Sequence, residues 1–401
     1  MNPRYERWRW QIFGITWLIY ASYYLTRQSF GVAKVALESD PSVALHRADF
    51  GLVDSAYLTA YMLGQFIFGP LGDRFGPRRI LLFGMSLSIL AAVASGFSTV
   101  LLAFVAFATI QGIAQSTGWS NTSKTISSWF SLNERGRVIG LWCTHYTVGA
   151  AIALPFAGWM MDYFGHAASP GQPGSALVPF WPAAFWAPAA VLGVVLVLTW
   201  LLLKNRPEDV GLPSIEAYHG EKESLLTAEE STHTPAADPT TVIREVLATP
   251  SIWLLAVSYF SIKLTRYAFY FWGPKFVYES LGSDAYASAM TAAAMPIGGL
   301  VGVIVIGYVS DKWFQARRAP ATILSLLVTA AIMLVGLKHI GNIWGMIGFS
   351  SVWVCSCSVL IRSSRALPQW TSARSAAPAR RPASSMASVR SVESSADICR
   401  A

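Results

Sequence analysis

Gly69-Pro70-Leu71-Gly72-Asp73-Arg74-Phe75-Gly76-Pro77-Arg78-Arg79 separates two apolar stretches, at about 50–70 and 80–97, each long enough to cross a bilayer core. A related pattern, Gly307-Tyr308-Val309-Ser310-Asp311-Lys312, closes another apolar stretch at about 286–309. Asp73 and Asp311 are 238 residues apart. Leu25-Thr26-Arg27 recurs as Leu264-Thr265-Arg266 at an offset of 239. Two separate matches at nearly one offset indicate an internal duplication. Parallel repeats of membrane spans meet at a central interface, and that interface is where a site is to be sought.

The rest of the chain fits this reading. Of 401 residues, 53% are hydrophobic and 13% charged, and the mean hydropathy is +0.43. A soluble domain carries about twice that charge fraction. Ten spans are expected, at about 10–36, 50–70, 80–97, 100–126, 137–161, 180–203, 251–278, 286–309, 320–338 and 342–361. Alternate connections are rich in Lys and Arg, beginning with Arg4, Arg7 and Arg9, then Arg74, Arg78 and Arg79, then Arg135 and Arg137. The intervening ones are poor in both, so the N-terminus is expected in the cytoplasm. The first apolar run has no small-residue cleavage pattern and reads as an uncleaved span. Cys143, Cys355, Cys357 and Cys399 show neither a disulfide framework nor ligand-like spacing, and no metal or cofactor is expected. Paired catalytic carboxylates and activated nucleophiles are not evident, which argues against an enzyme.

The spans divide as 1–203, a six-helix half; 204–250, a polar stretch read as a flexible cytoplasmic linker; and 251–361, about four helices of a second, incomplete half. Residues 362–401 turn to Ser, Arg, Ala and Pro and carry +5 of the net +8, so the charge excess does not point to a nucleic-acid partner. This tail reads either as disordered or as out-of-frame translation. Moving the frame back one nucleotide from Val359 permits a Gly-rich, small-residue helix pattern after a Lys-Arg loop, as expected between an eleventh span and its predecessor.

Arg27 and Arg266 lie well inside their spans, where an Arg costs on the order of 3 kcal/mol to insert. Guanidinium offers a planar fork of donors matched to phosphate or carboxylate oxygens. Two forks at equivalent places in the two halves would clamp a dianion. His145 reads either as a hydrogen-bonded structural residue or as a titratable group beside the anion. Lys124 reads as snorkelling toward an interface or as a ligand contact, and Lys263 is open between extra positive charge and a vestibule position. Asp73 beside Arg74, Arg78 and Arg79, with Gly69 and Gly76 in the turn and Asp311 in the second copy, suits an ion-pair and helix-dipole latch that one conformation makes and another breaks.

Several segments carry a family resemblance: Arg9-Trp10-Gln11-Ile12-Phe13, Tyr23-Tyr24-Leu25-Thr26-Arg27, Gly118-Trp119, Trp129-Phe130, Glu134-Arg135-Gly136, Arg206 through Pro213, and Trp272-Gly273-Pro274. Over about residues 8–360 the chain resembles the organophosphate:phosphate antiporters of the major facilitator superfamily. The resemblance implies an all-α membrane protein of two six-helix pseudo-repeats, here with about ten spans and an aberrant tail. It implies exchange of an organic phosphate for inorganic phosphate by a monomer in the bacterial inner membrane. Arg27 and Arg266 match the family's phosphate-binding arginines, His145 its central histidine, and Tyr20 and Tyr24 its pore tyrosines. Gln65 and Pro296 stand where many members have Lys and Glu, which leaves the organic part of the substrate open. A sugar-phosphate sensor and a carboxylate carrier are the competing expectations.

The out-of-frame reading of the tail is checked by sequencing the gene across the Val359 codon. The neighbouring frame is expected to encode GPDSLISGAAAVDFGTKRGAGTAAGF and onward, and nucleotides unable to do so would rule that reading out.

Overall fold

The computed structural model describes residues 3–38, 40–167, 177–219 and 271–279, with single positions and short groups between 248 and 331. Arg266, Lys263, Pro296, Asp311 and the tail 362–401 lie outside the described residues.

The six apolar stretches of the first half form α1 (Pro3–Leu37), α2 (Arg47–Phe75), α3 (Pro77–Ser95), α4 (Leu101–Trp129), α5 (Leu132–Trp142) with α6 (Thr144–Tyr163), and α7 (Ala183–Leu202). The expected fifth span is one apolar stretch, yet its helix is interrupted at Cys143. Just after it the Thr144 hydroxyl donates back to the Leu141 carbonyl at 2.8 Å and accepts from Trp17 Nε1 at 3.0 Å, tying this point to α1.

Four helical segments, Pro77–Ser95, Leu101–Trp129, Val138–Tyr163 and Ala183–Leu202, are long and apolar enough to cross a membrane among the described residues. Helices α1 and α2, with 35 and 29 residues, are long enough but more polar. Their buried charges, Arg27, Lys34 and Asp54, require protein rather than lipid around them. Helix α1 accordingly packs against α4, α6 and α7, and α2 against α4 and α3. Close approach depends on small residues. A Cβ at Gly149 on α6 would fall 2.7 Å from the Ala21 carbonyl and 2.9 Å from its Cα on α1, and neither backbone atom can step aside.

The core is split in two. One apolar cluster lies toward the chain's N-terminal face, here the near face, and includes Ile12, Ile15, Met85, Trp129, Trp142 and Leu192. The other lies toward the far face, around Val32, Phe50, Phe104, Leu154 and Phe185, and also takes in Ala289, Ala292 and Ala293 of the second half. Between them Thr26, Arg27, Gln115, Tyr57 and Thr117 form a buried polar layer.

On the near face, Arg9 is buried at a junction. Its Nε donates to the Trp129 carbonyl at 3.2 Å, Nη1 pairs with Glu6 at 2.7 Å, Nη2 pairs with Glu134, and its plane lies 4.6 Å from the Phe130 ring centre. Residues 204–219, read from composition as the root of a flexible linker, are folded here. Asp209 accepts from the backbone N–H of Asn205 and Arg206, Gly211 takes the left-handed conformation at φ 71°, and Leu212 and Ile215 are buried in the near-face cluster. Arg4 donates to the Val210 carbonyl, Tyr5 to that of Pro213, and the Tyr5 ring stacks on Tyr218 at 4.1 Å.

On the far face, the Asp40 carboxylate accepts from Ser42 N and Oγ and from Trp181 Nε1 at 2.7 Å. Partial burial works against its ionisation, but these hydrogen bonds outweigh that and hold its pKa below the usual carboxylate range.

Replacing Gly149 by Val forces α1 and α6 apart and is expected to cost about 1–3 kcal/mol. A lowered Tm in detergent, with α-helical content retained below it, is the expected measurement.

Candidate functional site

Arg27 sits in the polar layer, 5% exposed. Its Nε donates to Gln115 Oε1 at 2.9 Å; the same oxygen accepts from the Tyr57 hydroxyl at 2.8 Å, and Gln115 Nε2 donates to Thr26 Oγ1 at 2.9 Å. The guanidinium lies 4.7 Å from the Tyr24 ring centre and 5.0 Å from that of Tyr61. Nη2 has no hydrogen-bond partner among the described residues, and no carboxylate pairs with the group there. Neutral partners hold the fork in place and leave its charge available, at low dielectric, to an incoming anion.

Tyr20 and Tyr24 share one cluster with Ala150, against which Trp119, Tyr146 and Tyr267 pack. His145 is fully buried in the same aromatic wall, its ring 4.3 Å from those of both Tyr20 and Trp142. The structure therefore brings Tyr20, Tyr24, Arg27 and His145 to one region. Arg266 is outside the described residues, but its neighbour Tyr267 reaches this cluster and stacks on Phe271 at 5.7 Å. Gln115, Tyr57 and Tyr61 were not expected from the sequence. As neutral residues in apolar helices they carry no charge signal, and only helix packing brings them to Arg27.

From Arg27 a cavity runs toward the far face, lined in part by Thr26, Asp54, Tyr57, Ser95, Gln111 and Phe271. Beyond it the two halves are joined. Lys34, fully buried, pairs with Asp54 at 2.6 Å and donates to the Phe271 carbonyl at 3.0 Å. Lys275 pairs with Glu38 and lies 3.6 Å from Glu279, which also takes Arg47 at 3.0 Å. Sequence reading found few buried acids in the spans; Asp54 is one, and its partner is Lys34 rather than Arg27.

At the near face the expected latch has a different partner. Asp73 pairs with Lys124 at 2.6 Å, and Lys124 also donates to the Gly69 carbonyl at 2.6 Å. Lys124 is thus a cross-link between α4 and the end of α2. Arg78 donates to the Trp200 carbonyl and its backbone N–H to Asn205, while Arg74 lies over the Phe75 ring. Gly76, at φ 85°, makes the turn between α2 and α3.

A polar layer inside a helical membrane bundle, duplicated in sequence and closed at one face by contacts between halves, defines a carrier-type architecture. The chain belongs to the Major Facilitator Superfamily, whose sequence profile matches residues 16–398. It is therefore an integral, multi-pass membrane protein. It is 30% identical to the membrane sensor protein UhpC of Salmonella typhimurium over 358 residues, 89% of this chain and 75% of that one. It is 29% identical to the glycerol-3-phosphate transporter of Bacillus subtilis (85% and 74%) and 27% identical to a probable hexose phosphate transport protein of Chlamydia pneumoniae (87% and 74%). Among solved structures, the fold matches a bacterial homolog of the human lysosomal transporter Spinster, inward-facing and unoccupied. The TM-score is 0.68 at 16% identity, covering 91% of this chain and 75% of that one, a likeness of fold.

Lys34→Met leaves Asp54 buried without its cation and is expected to cost about 3–5 kcal/mol, most of which the double variant K34M/D54N restores. Thermal unfolding of the two variants beside the wild type in detergent measures both effects.

Proposed function

We propose that this chain is a secondary carrier that exchanges an organic phosphate for inorganic phosphate by alternating access. The observation that carries the reading is Arg27: a buried guanidinium with no acidic partner among the described residues, an unused Nη2 and a wall of tyrosines. Such a group is costly to keep in a membrane protein unless an anion visits it. Relatives named as transporters of glycerol 3-phosphate and hexose phosphate support phosphate as that anion.

In this reading Arg27 and Arg266, one from each half, grip the phosphate dianion. The loaded site draws the halves together. An empty site leaves two cations facing each other in a poorly screened cavity, so closing empty is disfavoured and exchange is enforced. His145, buried against Tyr20, senses or shares the phosphate's proton near neutral pH. The near face, with its Lys and Arg, lies in the cytoplasm of a bacterial inner membrane. The Lys34–Phe271 and Lys275–Glu38 contacts form the far gate, and Asp73–Lys124 belongs to the near one. The carrier works as a monomer.

A second reading has one observation in its favour, the 30% identity to a protein named a membrane sensor. Counterflow in phosphate-loaded proteoliposomes separates the two, because a sensor binds sugar phosphate without exchanging it.

Arg27→Lys and Arg266→Lys keep the charge and lose the fork. Each is expected to lower phosphate exchange at least 100-fold in proteoliposomes while leaving the protein folded. Wild-type rates in either variant would overturn the clamp.

A further inference from the structure

The far-face contacts between the halves contain a run of four charges that alternates in sign. Lys275 and Glu279 lie one turn apart on the helical residues 271–279, 3.6 Å from each other. Lys275 also pairs with Glu38, and Glu279 with Arg47 at 3.0 Å, so the order across the interface is Glu38, Lys275, Glu279, Arg47. Glu38 follows the last residue of α1, and Arg47 is the first residue of α2. The connection between them is tied down. Asp40 accepts from Ser42 and Trp181, and the Ala44 N–H donates to the Thr99 carbonyl at 2.9 Å. The first half thus presents one acid and one base from a braced loop, and the second half presents one of each from a single helix.

Burial singles out Lys275. It is 1% exposed and lies 4.8 Å from the Phe50 ring centre, so leaving it there without a carboxylate is costly. It has two, one from each half. When Glu38 withdraws, Glu279 is already beside it on the same helix. Glu279 then releases Arg47, which is left facing Glu38 across the α1–α2 connection. Lys34 follows the same rule: separation costs it the Phe271 carbonyl, while Asp54 of its own half stays at 2.6 Å. Both buried lysines at this interface are therefore supplied with a carboxylate that moves with them.

We propose that Glu38, Arg47, Lys275 and Glu279 form a partner-exchange switch. With the far gate closed, Glu38–Lys275 and Arg47–Glu279 bridge the halves. With it open, the same groups re-pair as Glu38–Arg47 and Lys275–Glu279, each pair within one half. The number of ion pairs is the same on both sides of the transition, so the charges guide closure to one register without locking it. A one-sided lock would instead favour the closed state by the energy of both bridges and slow every opening. The proposal rests on the reading of this interface as the far gate of an alternating-access carrier.

The test uses the full chain in detergent, with Cys143, Cys355, Cys357 and Cys399 replaced by Ser and spin labels at the exposed positions Leu102 and Met290, one in each half. Pulsed electron–electron distance measurements give the ratio of far-open to far-closed molecules. K275E/E279K keeps the pair within each half and turns both bridges into like-charge contacts, so it should raise that ratio at least tenfold. E38R/R47E should do the same, and the variant carrying all four reversals should return to the wild-type ratio. E38Q/R47Q/K275Q/E279Q, with no charges to exchange, should stay within threefold of wild type. Opening of that neutral variant to the extent of K275E/E279K would show a one-sided lock and overturn the switch. Reversed pairs that stay closed, or a fourfold reversal that fails to close, would overturn it too. A wild type whose label distances do not respond to phosphate or glycerol 3-phosphate would instead reject the carrier reading beneath it.

Discussion

A guanidinium at mid-depth in an apolar bundle has to be hydrogen-bonded, and the choice of partner decides what the bundle can do. Arg27 is held by an amide oxygen at 2.9 Å and by two aromatic faces. A carboxylate in place of Gln115 would hold it equally well but cancel its charge. The amide orients the fork and leaves the field intact. Much of the surrounding architecture serves that choice. The polar layer separates two apolar clusters, and α1 and α2, too charged for lipid, are wrapped by the more apolar α3, α4, α6 and α7.

The buried pair Lys34–Asp54 presents the opposite case in the same helices. There the charges do cancel, at 2.6 Å, and the lysine has a donor left to reach the Phe271 carbonyl of the second half. Such a pair gives little net stability, but it is costly to break on one side only. Two kinds of buried cation thus coexist on one helix: one without a carboxylate partner among the described residues, beside a cavity, and one neutralised where the halves meet.

The fold was legible because apolar length, alternating basic loops and a repeat at offsets of 238 and 239 leave few alternatives. Arg27 was legible for a similar reason, since a charge inside a span is rare enough to stand out. Its supporting shell was not. Gln115, Tyr57 and Tyr61 are unexceptional in apolar helices, and only the packing of α1 against α4 and of α2 against α4 makes them neighbours. Asp73 was legible as an ion-pairing acid, but nearby arginines hid its partner, because helix geometry and not sequence distance brings Lys124 to it. The break at Cys143 was invisible to hydropathy, because it leaves the apolar content of the stretch unchanged.

The knot around Arg9 fastens the start of α1 to the end of α4 and the cap of α5, while Arg4 and Tyr5 fasten the same helix start to residues 210–213. The tether between the halves therefore leaves the first half from a fixed point rather than from a frayed helix end. A tilt of α1 carries residues 210–213 along with it, so the first helix and the segment that follows α7 share one pivot.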